Sequence, residues 1–299
     1  MNARRYLVLD VFTREVLQGN PLAVVLDAEG LSTERMQAIA NEFHLSETTF
    51  VLPPEDRRHR AQVRIFTPLH ELPFAGHPTV GTAVALAGDA GVDAILVLEE
   101  TVGPVRCAVT HLEGTAFAEF DLPRLPEPVL FEAGVEAVAA ALELGTNEIG
   151  AGHHSTSAWT AGVPYVCIPV RDLEALGRAR LDVAAWVRLI GSDDGHSAAA
   201  YVYCPTGSDG FSYRSRMFAG HVGITEDPAT GSAAAAFAGA MMKWERPGEG
   251  IHRIAIEQGM EMGRPSQIRL ELVVGPGGGL EAARIGGFAI RIAEGVLFA

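Results

Sequence analysis

Short runs of β-branched and apolar residues, broken by Gly, Pro and Asp, dominate the first half of the chain at 6–12, 23–27, 49–52, 62–66, 95–98, 105–110 and 116–120, and runs of this kind predict strands. Residues 32–43 differ. Met36, Ile39, Ala40 and Phe43 recur at helical spacing behind Ser32, a capping residue type, and predict an amphipathic helix. Residues 78–90 predict a second helix that is apolar or small on every side. The second half repeats the recipe: a surface helix over 132–144, strands at 165–169, 200–204 and 212–218, an alanine-rich helix from Ala233, then strands at 253–258, 268–274 and 282–292. A helix without a polar face must be enclosed. The pattern therefore predicts an α+β fold of two similar domains, each a curved strand-rich sheet or barrel around a central apolar helix. Residues 122–128, with their three prolines, read as a stiff connector. They divide the chain into domains at 1–125 and 126–299, with room for the last strand to return to the first domain.

The halves also share a motif. His77-Pro78-Thr79-Val80-Gly81-Thr82-Ala83 is echoed by Asp227-Pro228-Ala229-Thr230-Gly231-Ser232-Ala233. In that register each proline takes the first helical position, and His77 or Asp227 stands where a cap belongs. The unpaired N–H groups and positive dipole end of a helix start stabilise an anion, so two such starts could grip one carboxylate-bearing ligand. Gly76, Thr79, Thr230, Gly231 and Ser232 are the candidate substrate-binding residues, adding hydroxyls and a backbone open to close approach. Taken singly, each motif reads as an ordinary helix cap; recurrence favours a ligand site. Fainter echoes join Arg64-Ile65-Phe66 to Arg216-Met217-Phe218, and Gly19-Asn20-Pro21 to Gly162-Val163-Pro164.

Composition narrows the function. With 48% hydrophobic and 20% charged residues, the 299-residue chain belongs among folded soluble proteins. A net charge of -14 argues against nucleic acid or an anionic membrane as partner, yet leaves a small acid open as substrate. The three cysteines, Cys107, Cys167 and Cys204, are far apart in apolar runs and predict reduced buried thiols, with no disulfide framework and no metal-ligand spacing. Gly275-Pro276-Gly277-Gly278-Gly279 lacks the Lys and helix of a phosphate loop and predicts a tight turn, as Gly207-Ser208-Asp209-Gly210 predicts a hairpin. No cofactor or metal is expected. The first apolar run is too short for a signal-peptide core, and residues 233–242 fall short of the roughly 20 needed to cross a bilayer, so a cytoplasmic protein is expected.

Ser46-Glu47-Thr48-Thr49-Phe50-Val51 puts a carboxylate between an amphipathic helix and an apolar strand, where partial burial would raise its pKa into the range useful for proton transfer. Glu47 is the general acid/base candidate; a glutamate that merely caps a backbone N–H in a turn is the equal alternative. Neither repeated motif contains a cysteine, which excludes racemisation by a pair of thiols. Glu47, His77 and Asp227 remain, a set suited to taking a proton from one carbon and returning it at another.

These segments carry a resemblance. Gly19-Asn20-Pro21-Leu22-Ala23-Val24, Leu45-Ser46-Glu47-Thr48-Thr49-Phe50-Val51, Glu71-Leu72-Pro73-Phe74-Ala75-Gly76-His77-Pro78-Thr79, Glu226-Asp227-Pro228-Ala229-Thr230-Gly231-Ser232-Ala233, Gln258-Gly259 and Met262-Gly263-Arg264-Pro265-Ser266 closely resemble the phenazine-biosynthesis PhzF-like isomerase family. The resemblance implies a diaminopimelate-epimerase-like fold with the active site in an interdomain cleft, a homodimer, and no cofactor or metal. It implies Glu47 as the acid/base acting on trans-2,3-dihydro-3-hydroxyanthranilate. His77, Asp227 and Ser232 then lie around that substrate, with Gly76 and Gly231 at the helix starts. An epimerase of another small amino or hydroxy acid, or a noncatalytic small-molecule binder, are the rival readings.

Overall fold

The computed structural model describes residues 2–88, 91–191, 198–207, 211–220 and 224–299. Asp89-Ala90, at the end of the expected second helix, and Ser208-Asp209-Gly210 of the expected hairpin lie outside the described residues. In chain order the elements are β1 (Ala3–Val11), β2 (Asn20–Val25), α1 (Thr33–Phe43), β3 (Glu47–Leu52), β4 (Ala61–Phe66), β5 (Glu71–Leu72), α2 (Gly76–Ala87), β6 (Ala94–Glu100), β7 (Gly103–Leu112), β8 (Thr115–Asp121), β9 (Glu127–Val129), α3 (Val135–Ala141), β10 (Ser157–Thr160) and β11 (Pro164–Pro169). There follow α4 (Leu173–Arg178), α5 (Val183–Ile190), β12 (Ala199–Pro205), β13 (Ser212–Ala219), β14 (Ile224–Asp227), α6 (Gly231–Trp244), β15 (Gly250–Gln258), β16 (Ser266–Val274) and β17 (Leu280–Phe298). The chain forms two compact units: Met1–Pro123 with Arg264–Gln267 and Ile285–Ala299, and Arg124–Gly263 with Ile268–Arg284.

In the first unit β1 runs antiparallel to β2, β2 parallel to β3, β3 antiparallel to β4, and β4 parallel to β6. From β6 the ladder continues antiparallel through β7 and β8, and β17 pairs with both β8 and β1. The ladder thus closes into an 8-strand barrel, which leaves no sheet edge within that ring. Helix α2 is its filling. It packs against β1, β2, β3, β6, β7 and β8, and every residue from Gly76 to Ala83 is buried. Gly81 permits this closeness, since a Cβ there would stand 2.6 Å from Leu22 Cδ2 and 2.8 Å from Val11 Cγ2. Helix α1 packs elsewhere: the Ser32 hydroxyl accepts from Arg35 N, and Met36, Ile39 and Ala40 are buried with Val25, Phe50 and Phe66.

In the second unit β9 and β10 pair antiparallel, β10 and β11 antiparallel, and β11 and β12 parallel; β13 then joins β12 antiparallel. Alternation along β12 gives its two faces different partners. Tyr201 and Tyr203 meet Phe237 of α6, with ring centroids 5.5 and 4.7 Å away, while Val202 and Cys204 join Val138, Leu176 and Trp186 of α3, α4 and α5. The alanine-rich α6 is buried almost throughout and approaches Trp159 of β10 through Gly239.

The two units repeat one topology. The series β2 parallel to β3, β3 antiparallel to β4, β4 antiparallel to β5 and β4 parallel to β6 recurs as β11, β12, β13, β14 and β15. Side chains fix the register. Arg64 pairs with Glu71 at 2.5 Å and lies over Phe66, as Arg216 pairs with Glu226 at 2.8 Å and lies over Phe218. Glu71-Leu72-Pro73-Phe74-Ala75-Gly76-His77 therefore corresponds to Glu226-Asp227-Pro228-Ala229-Thr230-Gly231-Ser232. This corrects the motif register expected from the amino-acid pattern. Pro78 lies inside α2, behind Gly76 and His77, and Ala75 is the cap; Asp227 ends β14 ahead of the Thr230 cap of α6. The partner of Pro228 is Pro73, and the shared signal is Glu-x-Pro-x-x-Gly.

Other expectations shift as well. The helix expected over 132–144 is only Val135–Ala141, with Val138, Ala139 and Ala141 buried rather than on the surface, because α5 packs on it. Glu127–Val129, within the expected connector, is a strand on β10. Helices α4 and α5 were not expected, although Asp172 and Asp182 cap them by accepting from Ala175 N and Ala185 N. The glycine run from Gly275 is the turn between β16 and β17, as expected.

A methyl group at Gly239 would lie 2.2 Å from Trp159 Cε3 and 2.4 Å from Cδ2, atoms of a rigid ring. Gly239→Ala should therefore lower stability by about 1–3 kcal/mol despite its better helix propensity. Urea unfolding checks this, and an unchanged or raised midpoint would contradict the close packing.

Candidate active site

Glu47 opens β3 opposite Leu22 of β2 and is 9% exposed. Strand alternation turns Glu47 and Thr49 to one face, and that face meets α2: Thr49 Oγ1 lies 2.9 Å from Thr82 Oγ1, and Glu47 Oε2 lies 3.3 Å from His77 Nε2. His77, second residue of α2, is buried, and its Nδ1 sits 3.3 Å from Asn20 Nδ2. An amide nitrogen can only donate, so Nδ1 accepts and the proton of the neutral ring belongs on Nε2, facing the Glu47 carboxylate. Burial pushes the His77 pKa down to about 3, so the ring is neutral at physiological pH.

Asn20 is delivered by a tightly held turn. Arg264 donates to Asp10 Oδ1 at 2.6 Å and to the carbonyls of Gln18 and Gly19 at 2.7 and 2.9 Å, while the buried Asp10 accepts from Leu17 N at 2.6 Å. Gly19 adopts φ +67°, and a Cβ there would lie 2.3 Å from Val11 O. The Arg264 segment, part of the family resemblance, thus belongs to the first unit and fastens the turn that presents Asn20.

Behind the same helix start, Thr79 Oγ1 lies 2.8 Å from Ala75 O and 2.8 Å from Glu100 Oε1. The Thr79 hydroxyl donates to these two oxygens as shared acceptors. Burial raises the Glu100 pKa to about 8, so its carboxyl group is protonated at neutral pH. The repeat explains the arrangement. Gln62, two residues before Arg64, pairs with Glu99, as Arg214, two before Arg216, pairs with Glu257, so Glu100 corresponds to Gln258. A neutral acid stands where the second unit has an amide.

In the second unit, Asp227, Thr230 and Gln258 form one buried group. Thr230 Oγ1 donates to Asp227 Oδ2 at 2.6 Å, Gln258 Nε2 donates to Asp227 O at 2.8 Å and to Thr230 Oγ1 at 3.0 Å, and Gln258 Oε1 accepts from Thr230 N at 3.2 Å. Ser232, second residue of α6 and so the counterpart of His77, lies 2.7 Å from the Tyr165 hydroxyl. Gly76 and Gly231 open their helices, and neither preceding residue, Ala75 or Thr230, caps with its side chain. The structure thus gathers Glu47, His77, Gly76 and Thr79 in one unit and Asp227, Thr230, Gly231 and Ser232 in the other. The Thr79 and Thr230 hydroxyls, expected to bind substrate, are engaged by the protein itself. Sequence reasoning passed over Asn20, Glu100, Tyr165, Gln258 and the Arg264–Asp10 pair; for Glu100 and Gln258 the signal was their shared place at the ends of matching strands. The three cysteines are buried and unbridged, and burial raises each thiol's pKa.

A barrel around a buried helix whose first turn meets a carboxylate and a neutral imidazole defines an isomerase of the epimerase-like class. The family model described as phenazine biosynthesis-like protein, PhzC-PhzF, matches residues 9–295, and the chain belongs to that family. It is 57% identical to an uncharacterized isomerase of Mesorhizobium japonicum, over 100% of both chains. It is 37% identical to the trans-2,3-dihydro-3-hydroxyanthranilate isomerase of Pseudomonas aeruginosa, covering 97% of this chain and 98% of that one. Among solved structures, a PhzF-family phenazine biosynthesis protein of Bacillus anthracis matches over 100% of both chains with TM-score 0.88 and 25% identity.

The state of Glu100 sets a pH dependence. An unfolded glutamate titrates near 4.3, whereas the folded one holds its proton to about 8, so the folded state binds the extra proton between these values. Stability from this group is complete below the unfolded value and is lost as pH rises through the folded one, with a slope of about 1.4 kcal/mol per pH unit. Glu100→Gln keeps a donor for Thr79 and removes the slope. Its advantage over the parent should grow between about pH 5 and about pH 8 in urea unfolding; a constant difference would mean that Glu100 is ionised.

Proposed function

We propose that the chain moves a proton between carbons of a small carboxylate-bearing substrate, with trans-2,3-dihydro-3-hydroxyanthranilate, named for the Pseudomonas aeruginosa relative, as first candidate. The observation that carries this reading is the buried Glu47 carboxylate 3.3 Å from the neutral His77 ring at the start of α2. Glu47 takes a proton from one carbon, the C–H electrons shift along the conjugated system, and the proton returns at another carbon. Nothing is oxidised and no co-reactant is consumed. A neutral ring serves better than an imidazolium, whose charge would make Glu47 a weaker base. The uncapped first turn, with Gly76 at its head, stabilises negative charge on the substrate. Asp227, Gly231 and Ser232 bind polar groups of the substrate, and Thr79 and Thr230 position the residues around them.

The repeat supports a single base. Pro21 and Pro164 follow matching glycine turns, so Leu22 corresponds to Tyr165, and the strand partner of Tyr165 is Ala199 where Leu22 faces Glu47. The second unit has no carboxylate at that place, which favours a proton shift over inversion by two opposed bases. Family resemblance brings a homodimer into the reading, and sedimentation of the purified chain checks it.

Glu47→Gln should cut turnover of the candidate substrate by about 10²–10⁴-fold or more while KM changes little, because the amide keeps the shape and loses the base. In heavy water the parent should place deuterium at the new carbon as the double bond migrates. Exchange with inversion at one carbon would make the chain an epimerase, and turnover unchanged in Glu47→Gln would overturn the role of Glu47.

A further inference from the structure

We propose that the second unit carries a binding site for a divalent metal ion of the zinc class, formed by His153, His154 and Glu245. The ligand atoms of these side chains all lie within 4.8 Å of one another. Two imidazoles and one carboxylate form a donor set suited to tetrahedral zinc with a fourth position left for water.

Local structure places each donor. A turn with Gly150 at φ +107° and Gly152 at φ +57°, closed by His154 N donating to Ala151 O at 2.9 Å, presents the two histidines together. Glu245 caps the C-terminus of α6, where the helix dipole is negative and favours a cation. His153 Nε2 lies 2.8 Å from the Trp244 carbonyl at this same helix end. A carbonyl only accepts, so Nε2 carries the proton and Nδ1 keeps a lone pair for the metal.

The surroundings match those of a ligand set. His154 is buried, its Nδ1 is 2.9 Å from the Tyr203 hydroxyl, and its Nε2 is 2.8 Å from Glu245 Oε1. Tyr213 donates to the same carboxylate oxygen at 2.8 Å. Two tyrosines thus orient a histidine and a carboxylate from behind, as outer partners do at metal centres. When Nε2 takes the metal, its proton moves to Nδ1 and is donated to the Tyr203 oxygen, so His154 loses no proton. His153 is exposed, so the site opens to solvent on its side. No metal-ligand spacing is visible along the chain because Glu245 lies 91 residues from His154. All three donors belong to one unit and none is in the proposed catalytic set, so the site stands whether or not the isomerase reading does.

The test is calorimetric titration of the full chain, without a histidine tag, with zinc chloride. One ion per chain should bind, and His153→Ala and Glu245→Gln should each weaken binding at least about tenfold, the loss of one ligand. Cobalt should quench the fluorescence of Trp244, whose ring stacks on His154 at 6.2 Å, and Trp244→Phe should remove the quenching while zinc still binds. His153→Ala should leave isomerase activity unchanged. Absence of saturable zinc binding by the parent chain would reduce the cluster to a hydrogen-bond network, and undiminished binding after both His153→Ala and Glu245→Gln are combined would place the ion elsewhere; either overturns the proposal.

Discussion

The structure of each unit depends on burying a helix start that its own cap residue, Ala75 or Thr230, does not cap with its side chain. Enclosure in a strand-built shell takes the first N–H groups of such a helix away from bulk water, and those groups need partners or a ligand. Ala75 has no polar side chain, and the Thr230 hydroxyl turns to Asp227. The polar groups near each start work on the flanking chain instead. Glu100 joins Thr79, and Gln258 joins the Thr230 amide and the Asp227 carbonyl. In the first unit the neutral state of Glu100 is the decisive choice. An ionised carboxylate there would satisfy the positive end of α2 internally; the protonated acid holds Thr79 and leaves that positive end without an internal counter-charge.

The repeat shows how two copies of one unit came to do different work. Corresponding positions keep the framework: Arg64 and Arg216, Glu71 and Glu226, Pro73 and Pro228, Gly76 and Gly231. Divergence falls on the residues around the helix starts. His77 matches Ser232, Leu72 matches Asp227, Glu47 matches Ala199 and Glu100 matches Gln258. The first unit thereby holds a buried glutamate beside a neutral ring, and the second holds hydroxyl, amide and carboxylate groups suited to hydrogen bonding. The ion pairs that fix the framework sit over aromatic rings at the hairpin before each central helix.

Much of this was legible in the chain because enclosure writes itself into composition. An all-apolar α2 and an alanine-rich α6 announced two wrapped helices, and period-2 strands announced the wrapping. Glu47 was legible because a carboxylate at the mouth of an apolar strand is unusual. What escaped had local reasons. The motif register slipped because His-Pro and Asp-Pro look alike as helix openings, whereas the strands β5 and β14 decide the alignment through Arg–Glu pairs distant in sequence. Helices α4 and α5 are short and carry their apolar face to one sheet, a pattern that brief segments cannot separate from strands. The roles of Asn20 and Arg264 were hidden because Arg264 holds the Gly19 carbonyl beside Asn20 from 245 residues away.

Two buried groups at the start of α2 deviate in opposite directions, and both deviations come from the same cause. Burial favours the neutral form of each, which for His77 means a lowered pKa and for Glu100 a raised one. On the acid side, the unfolded chain takes up a proton at His77 below about pH 6.5 that the folded ring refuses, so stability falls as pH drops. Between about pH 4.3 and about pH 8 the unfolded chain has released the Glu100 proton that the folded chain keeps, so stability falls as pH rises across that window. In the proposed reaction, a glutamate facing a neutral imidazole, with a neutral acid behind the helix start, has the substrate as its proton partner.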